Sequence, residues 1–338
     1  MGRRKSEIPQ RLLEKGICKI TMNERVDIVM ATYNGMPYIR EQLQSILWQD
    51  YQQFRLLIHD DGSTDGTVEE IKKVAERYPD KVFFVEDGIT FKDAKKNFEH
   101  LLKMTDADYI FLADQDDVWL PSKVSVMVEE MYNLEQEYGK NTPLLTFSDY
   151  ATVDTHGFPI ATSMGKIWGV NPRSACLELL LTKNIVSGCT CCFNRALLEK
   201  AIPLPKMAIM HDWWLALIAS AIGKVKYVPM VLTLYRQHSK NTVGARKTTL
   251  ASTVSRYLKS PMRAIAAFKR LGKLCINQAY ELLLYLEKSG FSGTPEYAIV
   301  AQYVEYRTGS YITRVRYFRK FKRDSFLREF WRIIMWNR

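Results

Sequence analysis

Short apolar runs rich in β-branched residues alternate with longer amphipathic stretches through the first third of the chain. "RVDIVMA" (25–31), "FRLLIHD" (54–60), "KVFFVED" (81–87) and "DYIFLAD" (108–114) have the length and composition of buried strands. Between them, "PYIREQLQSILWQ", "TVEEIKKVAERY" and "AKKNFEHLLKM" carry apolar residues at i, i+3 and i+4, the spacing of one helix face. This alternation predicts a mostly parallel sheet sandwiched by helices. Ligands of such sheets lie beyond the carboxyl ends of the strands. Polar residues gather at those ends: "TYNG" after the first strand, "DDGSTDGT" after the second and "DQDD" after the fourth.

The pattern continues over 144–234, with strands in "LLTFSDYATVD", "GCTCCF" and "KYVPMVLTLY" and helices at 173–183 and 212–222. No Pro/Gly/Ser-rich linker interrupts it. Residues 25–245 therefore read as one α/β domain, preceded by an N-terminal extension over 1–24 that is expected to be flexible. Residues 246–338 read as a basic, amphipathic, helical C-terminal region.

Length changes this picture little, since 338 residues with 47% apolar content suffice for one large or two ordinary cores. Charge changes it more. Of a net +11, residues from Arg246 onward carry 19 Lys and Arg against 6 Asp and Glu, so the body before them is near neutral. Such a tail fits anionic lipid head groups, because its cations are interleaved with Tyr, Phe, Trp and Leu. Solvent exposure as an ordinary helical cap fits it nearly as well. Nucleic acid is disfavoured as a partner, because no recognisable binding motif accompanies the charge.

No run of about 18 apolar residues is present, the longest candidate being "WWLALIASAI", so no membrane-crossing helix is expected. The N-terminus lacks the apolar stretch of a secretory signal. Gly2 and Ser6 match the loose acylation pattern, and Met22 is an alternative start. The expected location is the cytoplasm, with peripheral contact at the inner face of the plasma membrane. Of six cysteines (18, 176, 189, 191, 192 and 275), none has metal-finger spacing, and they read as small buried hydrophobes.

In "DDGSTDGT", Ser63, Thr64 and Asp65 suit a helix N-cap and Gly62 and Gly66 suit a tight turn. Asp60 and Asp61 are left over, and a carboxylate there suits the imide N–H of a pyrimidine or a ribose hydroxyl. In "DQDD" one acid is enough for a cap, whereas Asp114, Asp116 and Asp117 together repel one another. Mg²⁺ or Mn²⁺, shared with substrate phosphate, would relieve that repulsion.

The ordered set "VDIVMATYNG", "DDGSTDGT", "YIFLADQDDVW", "HDWWLAL" and "LYRQHSKNTVG" resembles the family 2 glycosyltransferases, most of all bacterial rhamnosyltransferase-type members. The resemblance covers residues 25–245. It implies a GT-A fold and metal-dependent, inverting transfer of a sugar from a nucleotide donor. By that resemblance Thr32, Tyr33 and Asp61 hold the nucleobase and ribose, Asp114 touches ribose or metal, and Asp116 binds the metal. Lys96 and Asn97 line the donor pocket. Asp212 is the general base, and His238 reaches the metal or diphosphate.

Two further expectations come from the residues themselves. Trp213 and Trp214, beside Asp212, offer flat apolar surface to an acceptor sugar. Arg236, His238 and Lys240 alternate along an extended segment and jointly meet a diphosphate. Helix capping is the competing reading of Asp212. His211 departs from the family pattern, in which many members carry an acid before the base. The expected donor is dTDP-L-rhamnose, with UDP-hexoses as the alternative, and the acceptor a glycan or lipid-linked saccharide of bacterial surface polysaccharide assembly. A nucleotide-sugar-binding protein without catalysis is the competing class, although it has no use for Asp212.

Overall fold

The structure is a computed structural model that describes residues 24–169, 171–239, 241, 261–310 and 313. Strands β1 (Val26–Thr32), β2 (Phe54–Asp60), β3 (Val82–Val85) and β4 (Tyr109–Ala113) pair in parallel in the order β3-β2-β1-β4. Beyond β4 the sheet turns mixed. Strand β8 (Cys191–Asn194) runs antiparallel to both β4 and β6 (Leu144–Val153), while β9 (Lys224–Arg236) returns parallel to β6. Two short strands, β5 (Val118–Trp119) on β9 and β7 (Pro159–Ala161) on β6, complete it.

Alternation along β1 assigns its two faces. Ile28 and Met30 pack with Ile39, Leu43 and Ile46 of α1 (Ile39–Leu47), Ile71 of α2 (Thr67–Arg77) and Met127 and Met131 of α4 (Lys123–Tyr138). Val29 faces the other way. It shares a core with Phe98, Leu101 and Leu102 of α3 (Ala94–Met104), which is capped by Asp93 accepting from Lys95 N and Lys96 N. Asp27 is buried within β1 and is neutralised by Arg55, whose Nε and Nη2 each approach its carboxylate at 2.8 Å.

Three short helices, α5 (Met164–Trp168), α6 (Leu177–Leu180) and α7 (Arg195–Ala201), precede α8 (His211–Ile222). The helix expected over 173–183 is a 3₁₀ turn at Pro172–Ser174 followed by the single turn of α6, because Pro172 starts one and Cys176 is extended before the other. The strand expected over "GCTCCF" begins only at Cys191. Its first half is a 3₁₀ turn, Gly188–Thr190, pressed against α8: a Cβ on Gly188 would lie 3.4 Å from Cβ of Asp212. Cys189, Cys191, Cys192 and Cys275 are buried thiols, whereas Cys176 is exposed.

Helices α9 (Pro261–Lys288) and α10 (Pro295–Thr308) bury Ala279, Leu282, Leu286, Val300 and Tyr303 in the same core as α8. No helix among the described residues is long and apolar enough to cross a membrane. Residues 1–23 of the N-terminal extension with the acylation pattern, Lys240, and residues 246–260, 311, 312 and 314–338 of the basic tail lie outside the described residues.

Candidate active site

The register of β1 on β2 sets Thr32 opposite Asp60 at the carboxyl edge. Asp60 then serves the turn rather than a ligand. Its Oδ1 accepts from Gly62 N (3.0 Å) and Ser63 N (2.7 Å), and its Oδ2 from the hydroxyls of Thr32 (2.7 Å) and Ser63 (2.6 Å). The next loop is stitched on by Asn34 N to Ser63 Oγ (2.7 Å), Thr64 N to Asn34 Oδ1 (2.9 Å) and Gly35 N to Thr67 Oγ1 (2.8 Å). Gly66, in the left-handed region at φ 91°, precedes α2, where a Ser, Thr or Asp cap was expected. Tyr33 presents an exposed ring while its backbone is held on both sides by the Gln115 amide, at 2.7 and 2.9 Å.

Asp61 is buried next to this edge. Its carboxylate accepts from Phe91 N and from Asp93 N (3.0 Å), so it fixes the loop between β3 and α3. Lys96 is exposed on the first turn of α3. Asn97, expected in the donor pocket, is instead buried against His59: Oδ1 lies 2.7 Å from His59 Nδ1, and Nδ2 donates to His59 O at 3.3 Å. That expectation is corrected, because both ends of the amide are occupied inside the fold.

The three acids after β4 have basic side chains among them. His238 Nε2 lies 2.6 Å from Asp116 Oδ2, and its ring stacks on Tyr38 with centroids 4.9 Å apart. Arg236 is buried. Its Nε donates to Asp116 O (3.0 Å), its Nη1 to Thr155 O (3.3 Å) and its Nη2 to Glu41 (2.6 Å), while its backbone N donates to Asp117 Oδ1 (3.1 Å). The guanidinium is thus a strut beneath the cluster, and the expectation that it meets a diphosphate is corrected. The third basic side chain, Lys123 of α4, is fully buried. Its Nζ donates to Thr233 Oγ1 (2.9 Å) and Cys189 O and lies 3.6 Å from the Trp119 ring centroid. Burial lowers its pKa to about 8, against the pull of Asp117 and Asp114.

These cations leave the acids undercompensated. Burial first, and then the charges of Asp116 and Asp212, push Asp114 up to about 7. Burial also raises Asp116, although His238 opposes it, and raises Asp117 well above the usual range. Asp117 Oδ2 has no hydrogen-bond partner. Ligand atoms of Asp114, Asp117 and Cys189 lie within 4.8 Å of one another. An orphaned buried oxygen among raised carboxylates is the environment that a hard dication fits.

Asp212 opens α8 beneath this cluster. Its Oδ2 accepts from Gly188 N (3.0 Å) and Asn184 Nδ2 (3.1 Å), and its Oδ1 from Trp213 N (2.6 Å). Burial nevertheless pushes it up to about 6. Met210, not Asp212, occupies the cap position. His211 stacks on Phe98 at 4.0 Å, and burial lowers its pKa to about 3, so it is neutral. Trp213 and Trp214 do not form an acceptor wall. Both are buried, with their indole N–H groups donating to Leu180 O (2.6 Å) and Ala201 O (3.1 Å), because the fully apolar face of α8 is the core face.

Residue-by-residue reading overlooked Lys123, Gln115, Asn184 and Gly188. Only Lys123 left a signal: it stands at i−4 from Met127, within the apolar phase of α4.

The family described as glycosyl transferase family 2 matches residues 27–140. The dTDP-rhamnosyl transferase RfbG of Shigella flexneri is 30% identical over 221 residues, which is 64% of this chain and 74% of that protein. Among solved structures, the mannosyltransferase PcManGT of Pyrobaculum calidifontis, in complex with GDP-Man and Mn²⁺, superposes with a TM-score of 0.50 at 18% identity. It covers 86% of this chain, which in turn covers 72% of it. S. aureus TarS 1-349 in complex with UDP-GlcNAc gives 0.51 at 16% identity, with 91% of this chain and 79% of TarS 1-349 covered.

Proposed function

Since this chain belongs to glycosyltransferase family 2, with the GT-A fold and transfer from a nucleotide-sugar donor that go with it, we propose that it is an inverting, metal-dependent rhamnosyltransferase. Its donor is dTDP-L-rhamnose, and its acceptor is a glycan or lipid-linked saccharide of bacterial surface polysaccharide. The similarity to a dTDP-rhamnosyl transferase supports the donor. One observation carries the chemistry: Asp212 is a buried carboxylate held only by N–H donors, raised to about 6, and close enough to Asp114 for the two charges to interact.

In this reading the nucleobase rests on the exposed Tyr33 ring and against Thr32 and Asp61, and the ribose meets Asp114. The acceptor hydroxyl attacks the anomeric carbon from the face opposite the diphosphate. As the new C–O bond forms and the sugar–phosphate bond breaks, the hydroxyl proton passes to Asp212. Asp114, Asp116 and Asp117, with His238 beside Asp116, are the residues that would hold a divalent cation. That ion supplies counter-charge to the departing nucleoside diphosphate. Lys123 and Arg236 keep the acids from repelling one another while the site is empty of substrate.

Incubation with a panel of nucleotide sugars, following nucleoside diphosphate release, tests the reading. Release is expected to be fastest from dTDP-L-rhamnose, to require Mn²⁺ or Mg²⁺ and to stop with EDTA. Faster release from a UDP-hexose would overturn the donor, and release undiminished by EDTA would overturn the metal.

A second expectation concerns pH. Asp212 must be ionised to accept a proton, so turnover at saturating donor should rise tenfold per pH unit below about 6 and flatten above it. The linked stability has the opposite sign. The unfolded carboxyl ionises near pH ~4 and the folded one later, so the metal-free protein should lose stability as pH rises from ~4 toward 6. A turnover profile flat from pH 5 to 8 would remove Asp212 as base.

A further inference from the structure

We infer that His59, Asp87 and His100 form a second metal site, outside the acid cluster, suited to a borderline transition ion of the Zn²⁺ class. The three come from different elements. His59 is the penultimate residue of β2, Asp87 follows the end of β3, where Val85 is the register partner of His59, and His100 lies on α3. His59 Nε2 lies 3.2 Å from Asp87 Oδ1, and His100 Nε2 lies 2.6 Å from Asp87 Oδ2. The three ligand atoms lie within 4.8 Å of one another.

The hydrogen bonding behind His59 decides what this cluster wants. Because Asn97 Nδ2 donates to His59 O, its Oδ1 is the atom facing His59 Nδ1, and Nδ1 must carry the proton. With Nδ1 engaged by Asn97, Nε2 is the ring atom of His59 left to ligate an ion, and it faces Asp87 Oδ1. An amide or carbonyl behind a ligating imidazole, fixing its tautomer and orientation, is the usual support of a metal site. Phe91 packs on both imidazoles, with centroids 5.7 Å from His59 and 5.2 Å from His100, and forms an apolar wall. Two imidazoles and one carboxylate favour a Zn²⁺-like ion over the oxygen-seeking Mg²⁺, and leave one position open to solvent, where Asp87 is 26% exposed.

The site bears on the donor edge. Asp87 Oδ1 also accepts from Ile89 N (3.0 Å), and the same loop continues to Phe91 and Asp93, whose backbone N–H groups hold Asp61. An ion on His59, Asp87 and His100 therefore rigidifies the loop that positions Asp61.

Co²⁺ is the probe, added to the full chain in excess Mg²⁺ so that the acid cluster is filled by the harder ion. The expected result is one Co²⁺ bound per chain, with the intense visible absorption of a low-coordinate nitrogen-ligated ion. His100→Gln and Asp87→Asn should each weaken binding at least about 10-fold while keeping the far-UV circular dichroism of the parent, since both side chains sit at the surface. Asp116→Asn should keep the Co²⁺ spectrum. Equal Co²⁺ affinity in parent and His100→Gln, loss of the spectrum in Asp116→Asn alone, or no Co²⁺ bound at all would each overturn the site. The last outcome would assign the cluster to a proton shared between His59 and Asp87. None of these readouts depends on sugar transfer.

Discussion

Replacing Asp212 by Asn is expected to lower turnover by about 10²–10⁴-fold while leaving nucleotide-sugar affinity within about threefold of the parent. In the proposed reaction this carboxylate faces the acceptor hydroxyl, and its hydrogen bonds come from Asn184, Gly188 and Trp213, none of which is assigned to the donor. The amide preserves shape but cannot take a proton. It also turns one of three accepted hydrogen bonds into a donor–donor contact, so a modest loss of stability accompanies the loss of rate. Calorimetric donor affinity in Mn²⁺, measured beside single-turnover release, separates these effects. A variant that binds donor and turns over within threefold of the parent would eliminate this carboxylate as the base.

Lys123→Met should be among the most destabilising single substitutions in the chain, costing roughly 3–5 kcal/mol. The ammonium is fully buried within the field of Asp114 and Asp117, both already pushed toward the neutral form, and Asp117 Oδ2 has no hydrogen-bond partner. Removing it takes away the positive charge that opposes the repulsion among these acids and strands Cys189 O and Thr233 Oγ1 without their donor. Adding Asp117→Asn to the same chain should restore a substantial part of the loss, because it removes the charge that Lys123 offsets. Mn²⁺ should stabilise Lys123→Met more than the parent, since a bound dication takes over the same role. Denaturant midpoints of the two single variants and the double variant test this. Additive effects would show that Lys123 acts by packing alone.

Much of the fold was legible because periodicity is a direct physical record of which side of an element is buried. The expected strand over 54–60 and the expected helix over 94–104 coincide with β2 and α3 residue for residue. Short elements were not legible. Helix α7, only seven residues long, has too few turns for a period to stand out. Its signals, the Asn194 cap and Pro203 beyond its end, are individually common. Likewise β5 is two residues long and exists because β9 pairs with it.

For the site, the chain order of motifs was enough to bring Thr32, Asp61 and the acids after β4 to one edge, because parallel strands place successive carboxyl ends side by side. The direction of individual side chains was not. Trp213 and Trp214 are adjacent to Asp212 in sequence, yet α8 turns about 100° per residue, so adjacency to Asp212 gives them no claim to its face. Arg236 looked like a free cation on an extended segment, and only the approach of Glu41, Thr155 and Asp116 from three other parts of the chain ties it down.

By itself the sequence determined the alternation of elements, the parallel core of the sheet and the edge at which its acids collect, since these depend on burial patterns local to each segment. Only the tertiary structure decided which cations stand among those acids, which of their oxygens is left unpaired, and that His59 and His100 meet across Asp87. Those outcomes depend on contacts between residues far apart in the chain, whose distances and desolvation exist only once the sheet and its helices have packed.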